Sequence, residues 1–157
     1  MGKSINYQIE QFSSWYKEAE SLMIEHWREI YPDKQYYSPQ YEFGLALEKM
    51  DGLLCFTART ESKELIGYGI FVVVPNPRNG KVIAENYSFY LAKEYRKGFT
   101  GIHFLAFCIN GIERDYREPK NIRFYVTPQN DFSNILTRMA FIETEKVLER
   151  AIPCPQQ

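Results

Sequence analysis

Hydrophobic and polar positions change their period several times along the chain. Ile5–Phe12 alternates loosely and predicts a short first strand. Beyond it the period lengthens. Trp15, Ala19, Leu22, Met23, His26 and Ile30 recur at helical spacing, with Glu18, Glu20, Glu25 and Glu29 on the remaining positions. Ser13 and Ser14 are candidate N-caps for this helix, and Tyr31-Pro32-Asp33 stops it. Ser38-Pro39 then reads as a cap followed by proline at the first helical position, opening a second helix that runs to about Met50. Three strand-like runs follow: Leu53–Arg59, Leu65–Pro75 and Val82–Leu91. The polar turn Glu61–Glu64 and the strong loop Asn76-Pro77-Arg78-Asn79-Gly80 separate them, which predicts an antiparallel meander.

After Leu91 the pattern changes again. Ala92–Thr100 is a polar, partly basic connector, and Gly101–Glu113 carries a helical stripe of Ile102, Leu105, Ala106, Ile109 and Ile112. Asn121–Thr127 predicts a strand, and its distance from Val82–Leu91 suits a parallel crossover through the intervening helix. Pro128–Asp131 is a turn, with Asn130 or Asp131 as cap for a short helix over Phe132–Met139. Phe141–Ile152 predicts a last strand, rich in charge, that offers an edge to a second subunit and so a homodimer. The fold class expected is α/β (α+β): a mixed, mostly antiparallel twisted sheet with one parallel βαβ crossover, flanked by helices. The length of 157 residues predicts one domain over 1–157.

Composition narrows the function. Apolar residues make up 45% and charged residues 25%, the balance of a globular chain, and 16% aromatics supply large core side chains. Nineteen Lys and Arg against twenty Asp and Glu leave a net charge of −1, which gives no global attraction to nucleic acid or to an anionic membrane. No apolar run approaches the ~18 residues of a membrane span. The opening MGKSINYQIEQF lacks the apolar stretch of a secretory signal, and Asn6 breaks the myristoylation pattern at Gly2. Cys55, Cys108 and Cys154 are too widely spaced for a zinc site and read as reduced thiols of a cytoplasmic protein. His26 and His103 form no metal-ligand pair, so no metal is expected.

The stretch with chemical content is Ala84–Gly101, AENYSFYLAKEYRKGFTG. A strand ends at Leu91, a connector carries Arg96 and Lys97, and Gly98 and Gly101 bracket the start of a helix. The first N–H groups of that helix lack intrahelical partners and sit at the positive end of its dipole. With the two cations beside them they suit a pyrophosphate. By itself a glycine turn before a helix is only a turn. The Walker A spacing is absent, and no dinucleotide fingerprint is present.

The element order and this segment resemble the GNAT acyltransferase superfamily, which uses acetyl-coenzyme A. Arg96 and Gly101 match the ends of the family's [RQ]-x-x-G-x-[GA] loop, while Phe99 stands at its middle glycine and Gly98 lies one residue earlier. Tyr95-Arg96-Lys97-Gly98-Phe99-Thr100-Gly101 is similar to a phage-type branch, as is Glu25-His26-Trp27-Arg28-Glu29-Ile30 in the first helix. Ile66-Gly67-Tyr68 resembles the family's strand opening, and Asn134–Phe141 its closing helix, with Ala140-Phe141 in place of Gly-Phe.

The resemblance implies an acetyl-CoA-dependent N-acetyltransferase acting on an amine of a small molecule or protein by direct attack. Its location would be the cytoplasm, of a host cell if phage-encoded. Coenzyme A would be held by Tyr90, Leu91, Arg96, Lys97, Gly98, Phe99, Thr100, Gly101, Asn130 and Asn134, with its pantetheine arm between strands 82–91 and 121–127. A backbone N–H near Leu91 would polarise the thioester. Glu85, eleven residues before Arg96, is the candidate base, with Tyr87 the alternative facing the site. The family's usual tyrosine acid is replaced by Leu136, so Tyr125, Tyr87 or Tyr90 would substitute, or the thiolate would leave unaided. His26, Glu29, Tyr87, and Tyr36 or Tyr37 are candidates for the acceptor side. A second reading is a catalytically degenerate member that binds without turnover or serves as a virion-associated protein. A third, nucleobase modification, is disfavoured by the neutral charge.

Overall fold

The computed structural model describes residues 4–33 and 37–148. A five-stranded sheet in the order β1-β2-β3-β4-β5 forms from β1 (Ile5–Ile9), β2 (Leu53–Thr60), β3 (Leu65–Pro75), β4 (Val82–Leu91) and β5 (Asn121–Arg123). Neighbours are antiparallel except β4 and β5, which are parallel. The crossover between them is α4 (Thr100–Glu113). The opposite face carries α1 (Phe12–Trp15), α2 (Glu20–Ile30) and α3 (Tyr41–Lys49), and α5 (Ser133–Arg138) follows β5. Sheet, crossover and flanking helices agree with the class the pattern predicts.

Two cores explain why β3 reads LIGYGIFVVV with hardly a polar residue: helices cover both faces of this central strand. On one face Phe12, Trp15 and Met23 pack with Tyr68, Ile70 and Tyr90. Trp15 lies stacked over Tyr68 at 5.7 Å between ring centroids. On the other, Phe104, Cys108 and Ile112 of α4 pack with Phe56, Phe71 and Ala84. Cys55 and Cys108 are free, buried thiols, and burial raises the pKa of both, so neither is poised as a nucleophile. Cys154 lies outside the described residues.

Four local expectations are corrected. The first strand ends at Ile9 and the next helix begins at Phe12, so Ser13 and Ser14 are inside it rather than capping it. Phe12 is recruited by an edge-on contact with Trp15 at 5.4 Å, and the Ser13 N–H is satisfied by the Glu48 carboxylate at 3.2 Å from α3. Likewise α3 starts at Tyr41 rather than Pro39, where Tyr41 meets the Tyr16 ring at 5.1 Å. β5 is three residues long, because Phe124 leaves the sheet edge for a cluster with Phe71, Phe89, Phe132 and Phe141. Residues 141–148 of the expected last strand have no regular structure: Ile142, Val147 and Leu148 are 81%, 71% and 86% exposed, so no buried face fixes a strand. The strand-pairing route to a homodimer loses its strand there, and 149–152 lie outside the described residues.

Gly67 shows how closely β3 and β4 approach. A Cβ at this position would lie 2.8 Å from the Tyr90 carbonyl oxygen and 2.9 Å from Leu91 Cδ1. Gly67→Ala must therefore push the end of β4 aside. We expect a loss of about 1–3 kcal/mol in denaturant unfolding, the range for overpacking. Unchanged stability would show that β4 yields freely here.

Candidate functional site

β4 and β5 part company in mid-strand. Their pairing runs Ile83 with Asn121, Ala84 with Ile122 and Glu85 with Arg123, and there it ends. At the same level the β3–β4 register slips from Ile70 opposite Ser88 to Phe71 opposite Asn86, leaving Tyr87 as an extra residue in a β-bulge. The buried Asn86 side chain mends the disrupted ladder: its Nδ2 donates to the Ser88 carbonyl at 3.1 Å and the Ile70 carbonyl at 3.4 Å. Beyond the bulge the Ala92 N–H donates to the Ile66 carbonyl at 2.8 Å. Strand alternation then turns the main-chain groups of Phe89 and Leu91 away from β3, toward the fork. On the α4 side the fork is closed by the rings of Phe89, Phe104, Phe124 and Phe132. On the α2 side it opens into a cavity of about 330 Å³.

That cavity gathers five residues singled out in the sequence: Glu85, Tyr125, His26, Tyr87 and Asn130. The Glu85 carboxylate accepts hydrogen bonds from Arg123 Nη1 at 3.1 Å and from the Tyr125 hydroxyl at 3.4 Å. Arg123 also lies 3.7 Å from Glu145. Burial, and then the Glu85 charge, raise the Tyr125 pKa, so Tyr125 holds its proton as a donor. Tyr87, swung outward by the bulge, is 63% exposed. His26 is buried, stacked on Tyr90 at 4.7 Å, with its Nδ1 2.9 Å from the Tyr68 hydroxyl and 3.3 Å from Ser88 Oγ. Burial holds its pKa down to about 4, so the ring is neutral near pH 7. A second cavity of about 500 Å³ between α2 and α3 shares His26, Ile30, Tyr31, Tyr87 and Ser88 with the first, so the two adjoin across these side chains. Tyr37 lines it. Tyr36 lies outside the described residues.

The connector after β4 is arranged differently. Arg96 and Glu29, expected on the ligand and acceptor sides respectively, face each other in a two-pronged ion pair at 2.5 and 2.9 Å. Arg96 Nε also donates to the Leu91 carbonyl at 2.7 Å, and its guanidinium lies 5.0 Å over the Tyr90 ring. The hydrogen bond from Arg96 holds the Glu29 carboxyl below its usual range. The side chains of Tyr90 and Leu91 are buried, so only their main chain can meet a ligand. Lys97, Gly98 and Phe99 are exposed at the mouth of α4, and Thr100 and Gly101 are half-buried as its first residues. Gly98 has φ +67°, a left-handed turn that suits glycine. Asn134 is exposed on α5 and is not among the residues that line the cavity.

Sequence reasoning missed Arg123, Ser88 and Asn86. Arg123 is two positions before Tyr125 and so shares its face, but its pairing with Glu85 depends on the parallel register, which no local signal reports. Among the described residues no group of three or more His, Cys, Asp or Glu side chains could hold a metal ion, and no helix is long and apolar enough to cross a membrane.

No protein-family model matches the chain, and no curated protein matches it. Solved structures do. A ribosomal-protein-alanine N-acetyltransferase from Brucella melitensis biovar Abortus is 12% identical with a TM-score of 0.66, covering 95% of this chain and 99% of that one. An aminoglycoside N-acetyltransferase solved in complex with CoA is 16% identical with a TM-score of 0.66, covering 98% of each chain. A GNAT family acetyltransferase from Staphylococcus aureus is 16% identical with a TM-score of 0.60, covering 95% and 99%. The chain thus has the fold of the GNAT acetyltransferases.

The buried histidine gives a pH signature. Its folded pKa of about 4 lies below the ordinary 6.5, so the unfolded chain takes up the proton first as pH falls. Its contribution is complete above pH 6.5 and lost on descent through about 4, amounting to about 3 kcal/mol. NMR should find the His26 ring titrating near 4, and His26→Gln should remove this share of the acid sensitivity. A ring titrating at 6.5 would contradict the buried, neutral state.

Proposed function

We propose that the protein transfers an acetyl group from acetyl-CoA to the amine of a small-molecule or protein acceptor, as one domain over residues 1–157. The observation that carries the proposal is the fork. Past Glu85 and Arg123 the edge of β4 has no strand partner, the N–H groups of Phe89 and Leu91 turn away from β3, and Glu85, Phe89 and Tyr125 line one cavity. The fold of the structural neighbours, one of them solved with CoA, supports the same reading.

Acetyl-CoA supplies an activated acyl group as a thioester. The amides opening α4 and Lys97 would hold its pyrophosphate, with Gly98 and Gly101 keeping side chains out of the way. A Cβ at Gly101 would meet only Leu91 Cδ2, at 3.9 Å, so the space outside that position is open. The edge of β4 offers the N–H and C=O of Phe89 to the amides of an extended arm, and the N–H of Leu91, whose own carbonyl is held by Arg96, suits a polarised carbonyl. Asn130 would meet the ligand from the cavity wall, and Asn134 from the first turn of α5. Glu85 takes one proton from the acceptor's ammonium, directly or through water, so that the neutral amine attacks the thioester carbonyl; Tyr125 gives its proton to the departing sulfur and is restored by the second proton that the nitrogen sheds. The new N–C bond forms as the C–S bond breaks. Leu136 is buried at the place of the family's usual acid, and among the tyrosines that could substitute, the hydrogen bond of Tyr125 to Glu85 supports Tyr125. The motifs Glu25–Ile30 and Tyr95–Gly101 meet through the Glu29–Arg96 pair, which supports a phage-type branch.

One observation favours the alternative of binding without turnover: the Glu85 carboxylate is already engaged by Arg123. Two measurements separate the readings. Acetyl-CoA should bind saturably by calorimetry, and Gly101→Glu should weaken it tenfold or more with little change in unfolding midpoint; absence of binding to the wild type would end the proposal. Where thiol release is measured across an amine panel, Glu85→Gln should lower its rate by about 10²-fold and flatten the acid limb of the pH–rate profile. An unchanged profile would remove Glu85 from the mechanism, and binding with no release for any amine would favour the alternative.

A further inference from the structure

The acceptor is left open by everything above, and the larger cavity constrains it. Its walls include Trp27, Tyr31, Tyr37, Tyr41, Phe43 and Tyr87, and it measures about 500 Å³, within the usual range for a small-molecule site. None of the described residues lining it is Asp, Glu, Lys or Arg. Its polar groups are tyrosine hydroxyls, Ser38, Gln40, Ser88 and the neutral His26. Across His26, Tyr87 and Ser88 it adjoins the smaller cavity, where Glu85 is the only carboxylate among the described lining residues.

From this we infer that the acceptor is a small monoamine on an aromatic or otherwise apolar body. The body lies among the rings between α2 and α3, and the single amine reaches past Ser88 toward Glu85 and the fork. The inference rests on the acetyl-transfer reading for its chemistry but not for its binding. The charge inventory carries it. A polycation would bring several ammonium groups into a chamber with no anion among its described lining residues, and each unpaired charge moved out of water is expensive. A single ammonium is different. It can pass along electron-rich ring faces, which attract cations, and end beside Glu85, where Arg123 and Tyr125 both engage Oε1 and Oε2 is the oxygen left to a newcomer. The apolar body meanwhile gains burial against the rings.

Calorimetric titration of the whole protein tests the pocket directly. Tryptamine and phenethylamine should bind at least tenfold more tightly than kanamycin, spermidine or an alanine-initiated peptide, with a negative heat-capacity change. Phe43, 55% exposed at the rim, can be shortened without opening the core, and Phe43→Ala should weaken tryptamine several-fold while the far-UV circular dichroism is unchanged. Tighter binding of kanamycin, spermidine or the peptide, or a folded Phe43→Ala protein that binds tryptamine as well as the wild type, would overturn the inference. Thiol release from acetyl-CoA is read separately. Tryptamine binding without release would support the pocket while ending the transfer reading. Release favoured by spermidine or kanamycin over tryptamine would do the reverse.

Discussion

The structure turns on the fork between β4 and β5. A parallel pair that stops after Glu85 and Arg123 would normally leave a row of main-chain groups of β4 without partners beside the short edge strand. Here the cost is contained on three sides. The bulge at Tyr87 ends one ladder where the other ends, Asn86 donates to the carbonyls the bulge disturbs, and a cluster of phenylalanines keeps water from the α4 side. What is left open is one strand edge facing one cavity. An extended ligand with its own amides is the natural complement of such an edge.

The loop behind the fork is held by Arg96 in a manner its motif does not announce. An arginine ahead of a glycine turn invites the reading of a phosphate contact. Instead it binds Glu29 with both prongs, caps the Leu91 carbonyl and covers the Tyr90 ring. The geometry is that of a positioning clamp between α2 and the end of β4, and two-pronged arginine–carboxylate pairs are well suited to fixing orientation. Its charge being matched by Glu29, the free positive character at the mouth of α4 comes from Lys97 and from the helix amides.

How far the chain could be read in advance follows the range of the forces involved. The meander β2–β4 and the crossover helix were legible because apolar runs, turn residues and helical periodicity are local signals. Gly67 was legible as a motif, and the near contact with the Tyr90 carbonyl supplies its reason. The helix starts at Phe12 and Tyr41 were not, since aromatic contacts with Trp15 and Tyr16 outweigh the capping signals of Ser13, Ser14 and Ser38. The tail over 141–148 alternates without a face to bury, and periodicity alone does not make a strand. At the site, Glu85 and Tyr125 were named from resemblance, whereas Arg123 between them depends on a parallel register that only the assembled sheet defines.

That arginine bears on the chemistry. On the acetyl-transfer reading an ammonium must lose its proton beside Glu85, and a carboxylate alone would stabilise the charged form and retard the loss. Arg123, 3.1 Å from the same carboxylate, acts in the opposite sense: its positive charge disfavours a second cation nearby. The uncharged aromatic chamber behind adds desolvation, which again favours the neutral amine. On that reading Glu85 would receive the proton while its surroundings lower the affinity of the amine for it. The pairing that looks at first like an obstacle to base catalysis is, in this arrangement, a means of presenting the amine in its nucleophilic state.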